Sequence, residues 1–161
     1  MYTKKILDNF TNPKNHGKLK NPDGIGKVGN IVCGDVMWLY IKVEKNKIIN
    51  ISFETFGCVA AIATSSDVTE IAKGKTLEQA LKISKKDIIK DLGGLPPIKV
   101  HCSVLAVDAL AEAIYNYLKK NKQPIPSDLE KKHDRIKREK DIIEEKYKDW
   151  TDTEKQVASC K

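Results

Sequence analysis

Three observations predict an α+β fold in which a small antiparallel sheet is packed with helices. Val36 to Glu44 alternates, with Met37, Leu39, Ile41 and Val43 on one face, the period of a half-buried strand. Ile49, Ile51 and Phe53 repeat that period just after the polar Lys45-Asn46-Lys47 turn, so the two runs read as a hairpin. From Val59 onward the apolar period lengthens toward 3.6, and helical patterns occupy most of the remaining chain.

Each element has its own signal. Tyr2 to Phe10 can form a short amphipathic helix, and the Pro/Asn/Gly-rich stretch from Thr11 to Gly29 reads as extended or mobile. Gly24, Gly26 and Gly29 spell GxGxxG, but a dinucleotide fingerprint follows a strand and opens a helix, whereas these glycines precede a strand; backbone turning is the expected role. Ala60, Ala61, Ile62, Ala63, Val68, Ile71 and Ala72 form a helical pattern that stops at Gly74, so Cys58 stands at a strand-to-helix turn. Thr76 with Gln79 and Ser84 with Asp87 are capping boxes that open two short helices. Gly93-Gly94-Leu95-Pro96-Pro97 opposes helix and predicts an extended segment. His101 to Lys120 is a long amphipathic helix with Cys102 in its first turn.

The 161 residues and 40% hydrophobic content suit one modest core. Composition changes after Pro124 and Pro126, which divides the chain into a body over residues 1–123 and a charged C-terminal helical extension over residues 124–161. Ser127 with Glu130 opens that helix, and Leu129, Ile136, Ile143 and Trp150 recur every seven residues. Ile125, His133, Lys140 and Tyr147 at the companion positions make a poor coiled-coil core. One apolar stripe packed on the body is expected.

Charge and hydropathy exclude several classes. No apolar run reaches bilayer length and the N-terminus lacks the apolar stretch of a secretory signal, so a cytoplasmic protein with no membrane role is expected. The net charge of +7 lies mainly on the body as separate lysines, without the aromatic interleaving of single-strand readers. A solvated surface, with docking to an acidic protein as the functional option, is expected rather than nucleic-acid binding.

Four scattered cysteines do not make a disulfide scaffold, and reduced thiols available to metal are the better reading. A thiolate binds metal or attacks sulfur, and a helix N-terminus favours it through unpaired N–H groups and the dipole. Cys58 and Cys102 have that position; Cys33 is followed by Gly34, which permits close backbone approach, and by Asp35. A single Cys before a helix is more often a small buried residue, yet three such positions with His101 and Asp35 beside two of them point to one shared site. Three thiolates with an imidazole or carboxylate suit an iron-sulfur cluster and equally one zinc.

Three segments carry a resemblance. Gly29-Asn30-Ile31-Val32-Cys33-Gly34-Asp35, Phe56-Gly57-Cys58-Val59-Ala60-Ala61-Ile62-Ala63 and Leu95-Pro96-Pro97-Ile98-Lys99-Val100-His101-Cys102-Ser103 are similar to the signature segments of the IscU/NifU N-terminal iron-sulfur scaffold family. They match in order and spacing, with 24 residues between Cys33 and Cys58 and 43 between Cys58 and Cys102. The similarity covers about Tyr2 to Lys120.

The resemblance implies an IscU/SufE-like fold, a three-stranded antiparallel sheet packed with helices, the third strand falling near Val28 to Val32. It implies a scaffold, not a turnover enzyme, that receives persulfide sulfur from a cysteine desulfurase of IscS/NifS type. Such a scaffold takes Fe2+ and reducing equivalents from a donor such as a ferredoxin, assembles a 2Fe-2S cluster and passes it to apo iron-sulfur proteins. By motif the ligands are Cys33, Cys58 and Cys102, with His101 or Asp35 as the changeable fourth. Cys102 is the leading persulfide acceptor, with Cys33 an option, and Asp35 sets lability because an oxygen holds iron less permanently than a thiolate. Leu95-Pro96-Pro97-Ile98-Lys99 resembles the motif through which a DnaK-type chaperone recognises the family, and also fits a rigid linker aiming His101 and Cys102. Homodimer formation and Zn2+ in the isolated protein stay open.

Two positions depart from the pattern. Val59 stands where the family commonly has Gly, and Cys160 has no counterpart, so a free thiol near the C-terminus is expected. A zinc-binding sulfur-transfer protein of SufU type is the nearest alternative, but those relatives carry an insertion between the second and third cysteines and lack His101 and the Leu95 to Lys99 pattern. A Cys/His nucleophilic hydrolase leaves two cysteines unexplained.

Overall fold

The computed structural model describes residues 2–29 and 34–159, with the side chains of 143 and 146–159 left aside. The order is α1 (Lys4–Thr11), β1 (Gly24–Gly29), β2 (Val36–Glu44), β3 (Lys47–Phe56), α2 (Val59–Ala72), α3 (Leu77–Leu81), α4 (Lys85–Asp91), a 3-10 turn (Pro97–Lys99), α5 (Val100–Lys120) and α6 (Ser127–Ser159). The three strands form an antiparallel meander, β1-β2-β3. Helices α2 and α5 cover one sheet face and α6 packs on α5.

The β2–β3 hairpin turns through Lys45 and Asn46, with φ of 51° and 62°, the left-handed pair of a two-residue type I′ turn. Met37, Leu39 and Ile41 are buried as their alternation predicts. On β3 the expected face is wrong near the turn. The register shifts between Lys42 and Val43, and Ile48 is 0% exposed while Ile49 is 44% exposed, because a bulge adds one residue and reverses the alternation beyond it. The outer sheet face carries Trp38, edge-on to Phe56 with Lys27 over its ring, and the Tyr40 hydroxyl donates to Glu54 at 2.7 Å.

The third strand begins earlier than Val28, and residues 30–32 lie outside the described residues. The glycines read as turning residues are themselves the strand. A Cβ at Gly24 or Gly26 would fall inside the carbonyl oxygens of Ala113 or Ala109, so glycine lets α5 lie directly on β1.

Residues 12–23 are neither helix nor loose chain. Lys14 N–H donates to Ser66 Oγ at 2.8 Å, Asn15 Nδ2 to Thr69 Oγ1 at 3.1 Å, Phe53 N–H to Asn15 O at 2.9 Å, and Gly17 N–H to Phe53 O at 2.8 Å. This segment therefore satisfies the outer edge of β3 and the polar side of α2.

Two of the three expected capping boxes close, Thr76 with Gln79 and Ser84 with Asp87; at α6, Ser127 is already the first helical residue and the Glu130 N–H donates to the Pro126 carbonyl at 3.0 Å instead. The proline segment differs from expectation. Pro97 to Lys99 forms a 3-10 turn that runs straight into α5, since proline lacks only the N–H that a first helical turn leaves unpaired. The preceding Pro96 keeps an extended, polyproline-like backbone, at φ −54° and ψ 137°.

The first turns of α6 pack as one stripe on the body: Leu129 and Ile136 are buried. The stripe is reinforced by charge, for the His133 ring stacks on Tyr115 at 3.7 Å, its Nδ1 lies 2.8 Å from Glu112, and Arg135 Nη2 donates to Asp108 at 2.9 Å. The Ile143 and Trp150 positions of the heptad expectation lie outside the described side chains.

Candidate metal centre

Two helix starts and one strand start meet at a single point. Cys58 is the N-cap of α2, in extended backbone and without a side-chain cap bond. Cys102 lies in the first turn of α5, whose N-cap Lys99 likewise provides no side-chain cap. Both sulfurs thus sit at helix N-termini, where the helix dipole favours negative charge. Asp35 reaches them from the entry to β2, after Gly34 at φ 71° turns the chain.

The Cys58 and Cys102 Sγ atoms are 3.7 Å apart, and Asp35 Oδ2 is 4.0 Å from each. All three ligand atoms fall within 4.8 Å of one another. Tetrahedral thiolates at metal–sulfur distances of about 2.3 Å are separated by roughly 3.8 Å along an edge, so the sulfur pair is spaced to share one metal. A disulfide would need about 2.05 Å.

Burial grades the site. Cys102 is 1% exposed, packed with Ala60 and Ala61 under Tyr2 and Leu95, whereas Cys58 is half-buried. The Thr64 hydroxyl, buried on α2, lies 2.8 Å from the Ala60 carbonyl of its own helix and 3.2 Å from the Cys102 carbonyl, so it sits where the two cysteine-bearing helices meet. The Lys99 ammonium is held above its usual range, first by attraction to Cys58, with desolvation opposing and Tyr2 and Cys102 adding to it. It is a half-buried cation close to Cys58 at the start of α5.

His101 does not join the three-residue group. Its Nε2 is buried with no hydrogen-bond partner, a costly arrangement for a ring nitrogen unless something arrives to use it. The donor set that the structure brings together, two thiolates and a carboxylate, fits a soft or borderline metal. Cys33 and Cys160 lie outside the described residues. Val59 is half-buried and packs on the main core.

The family profile of the NifU-like N terminal domain matches residues 1–124. The chain belongs to that family. Among curated relatives of the NifU-like domain, "Iron-sulfur cluster assembly scaffold protein IscU 1" of Archaeoglobus fulgidus is 59% identical over 121 residues, 75% of this chain and 79% of that protein. The corresponding IscU of Aquifex aeolicus is 49% identical, covering 74% and 77%. "Nitrogen fixation protein NifU" of a Nostoc species is 52% identical over 124 residues, 72% of this chain but 41% of that longer protein. A crystal structure described as a putative iron-sulfur cluster assembly scaffold for the SUF system, from Fervidobacterium islandicum, has a TM-score of 0.61 at 27% identity and covers 70% of this chain and 96% of its own. A NifU-like N-terminal structure from Brucella abortus, at 22% identity and TM-score 0.60, covers 73% and 94% and agrees in fold. The higher identities are to IscU and NifU, so the SufU-type alternative is not favoured.

The family match ends at residue 124 and α6 begins at Ser127.

Proposed function

We propose that this chain is a scaffold on which a 2Fe-2S cluster is assembled and from which it passes to apo-proteins. The observation that carries the reading is the meeting of Cys58, Cys102 and Asp35 at metal-sharing distances, from segments 23 and 44 residues apart along the chain. Cys33 completes the thiolate set in this reading, and Asp35 or His101 supplies the fourth, exchangeable position. The iron and sulfide are cargo rather than a resident cofactor.

Sulfur arrives as a persulfide on a cysteine desulfurase. The Cys102 thiolate attacks the outer sulfur, the donor S–S bond breaks, and the desulfurase cysteine leaves as thiolate; Cys102 then carries the S–SH group. The two transferred sulfurs need four electrons to become sulfide and return the cysteine thiolates: two come from the two Fe2+ ions, which enter from solution or a donor and end ferric, and two from a donor such as a ferredoxin. Because Cys102 is 1% exposed, the attack requires the Tyr2 and Leu95 cover to move, and this is where a docked partner would act. Cys33 is the second option for acceptor.

Leu95 to Lys99 serves as a chaperone recognition segment of DnaK type in this reading. Ile98 is 78% exposed, available to a groove, but Pro97 to Lys99 is a 3-10 turn, so capture in extended form would unwind it and pull on His101 and Cys102 directly behind. Release of cargo follows from that coupling. Among the described residues no helix is long and apolar enough to cross a membrane, and the proposal places the protein in the cytoplasm without a catalytic turnover of its own.

The test is transfer. Chain incubated anaerobically with a desulfurase, cysteine, Fe2+ and a reductant, then re-isolated, should convert an apo-ferredoxin to its holo form; persulfide delivery with zinc retained and no cluster transferred would instead return the sulfur-transfer alternative.

A further inference from the structure

Gly57 lies between the exposed end of β3 and the cap residue Cys58, and its backbone is not in the left-handed region that demands glycine. Alanine could adopt the same backbone without strain. Space is what prevents it. A Cβ at Gly57 would stand 2.7 Å from the Ala61 Cβ, 3.0 Å from Asp35 Cγ and 3.2 Å from Asp35 Oδ1, against an ordinary carbon–carbon separation of about 3.5–4.0 Å. The Asp35 carboxylate is therefore held with one oxygen over the bare face of Gly57 and the other, Oδ2, toward both sulfurs. Asp35 is itself buried, so its side chain has little freedom to give way.

We infer that Gly57 is a positioning residue: the absence of its side chain is the space that places the Asp35 carboxylate beside Cys58 and Cys102, and filling it displaces the carboxylate and slows release of bound metal. The effect on release rests on the proposed function; the position of the carboxylate does not. Ala61 would clash first with a new methyl, so Gly57→Ala is best made together with Ala61→Gly, which removes that conflict and leaves the one with Asp35.

The experiment has two arms, with Ala61→Gly alone as control and thermal unfolding verifying that each variant folds. A crystal structure of the metal-free Gly57→Ala/Ala61→Gly variant should show the Asp35 carboxylate moved away from the sulfurs; a carboxylate left in place overturns the inference whatever the chemistry of the site. Removal of Co2+ by a chelator, followed through the thiolate-to-cobalt absorption, should be slowed several-fold in that variant, and by a similar factor in Asp35→Ala. Combining all three substitutions should slow it no further than Asp35→Ala does, since residues acting through one another are not additive. Full additivity would overturn the inference by showing that Gly57 acts on the cysteines instead. A displaced carboxylate with unchanged cobalt removal would sustain the positioning but remove Asp35 from the proposed release step.

Discussion

Cys58 Sγ and Cys102 Sγ approach to 3.7 Å although one caps α2 and the other opens α5, two helices that enter the sheet face from separate parts of the chain. The consequence is that either sulfur alone is an incomplete site. Replacing one with Ser exchanges a soft thiolate for a hydroxyl that stays protonated at neutral pH. Cys58→Ser and Cys102→Ser should each weaken Co2+ binding by more than about 100-fold, beyond the loss expected for an outer partner. Spectroscopic titration measures it directly, and retained affinity in both variants would separate the sulfurs from metal binding.

Asp35 Oδ2 lies 4.0 Å from both sulfurs, and in the proposed function it competes for the cargo there. Asp35→Ala is expected to retain a reconstituted cluster several-fold longer against chelator or an apo-acceptor. The decay of visible absorbance gives the rate; equal or faster decay would remove this role.

Away from the site, Asp67 on α2 is 0% exposed and neither carboxylate oxygen meets a hydrogen-bond donor. Facing it is Asp91 of α4, which accepts from Lys5 of α1, and Glu70 lies on the same helix. Burial first, then the Asp91 carboxylate, pushes Asp67 from 3.8 up to about 8, with Lys5 opposing and Glu70 adding to the rise. Two carboxyl groups can share a hydrogen bond only when one carries a proton, and it is Asp67 that keeps it. The native state thus binds a proton that the unfolded chain has lost, so stability should fall as pH rises from about 4 to about 8 and then level off. Asp91, held below its usual range by Asp67 and Lys5, acts at lower pH and leaves this window clear. Asp67→Asn should flatten the slope between pH 5 and pH 8 in urea unfolding; parallel profiles for the two proteins would contradict the buried-acid account.

On the opposite side, Leu129 and Ile136 of α6 are buried on a helix otherwise dense in charge. Truncating either to Ala should cost about 2–4 kcal/mol if α6 is part of the folded unit, read from urea midpoints. His133 and Arg135 add directed contacts with Glu112 and Asp108, so the Leu129 and Ile136 losses should not be accompanied by a change in oligomeric state. A cost below about 0.5 kcal/mol for both would mean that α6 docks without stabilising the body.

Local signals made much of this architecture legible. The capping boxes of α3 and α4, the hairpin and the long α5 follow from spacing that acts within a few residues, where side chain and backbone meet directly. The bulge that buries Ile48 in place of Ile49 has no comparable local mark. Gly24 and Gly26 look like turn residues until the backbone of α5 is laid against them, and Pro97 looks like a helix breaker until it becomes the first residue of a helical turn. At the site, helix starts and the neighbouring Asp35 and His101 point to one shared site for the cysteines, while the geometry of Cys58, Cys102 and Asp35 depends on tertiary packing and leaves no mark in the spacing. Gly57 and Thr64 were not singled out, since a glycine needed for space and a threonine reaching a carbonyl across 38 residues leave no periodic trace. Nor does the acid proton of Asp67, which requires three helices to be brought together.

The central claim is tested most directly by anaerobic reconstitution with ferric iron and sulfide, followed by iron and acid-labile sulfide analysis and visible spectroscopy on the wild-type chain beside Cys58→Ser and Cys102→Ser. The account predicts iron and sulfide in equal amounts with sulfur-to-iron charge-transfer bands in the wild type, and loss of both in each variant. Wild-type protein that takes up zinc but no iron with sulfide, or variants that hold the cluster as well as the parent, would contradict it.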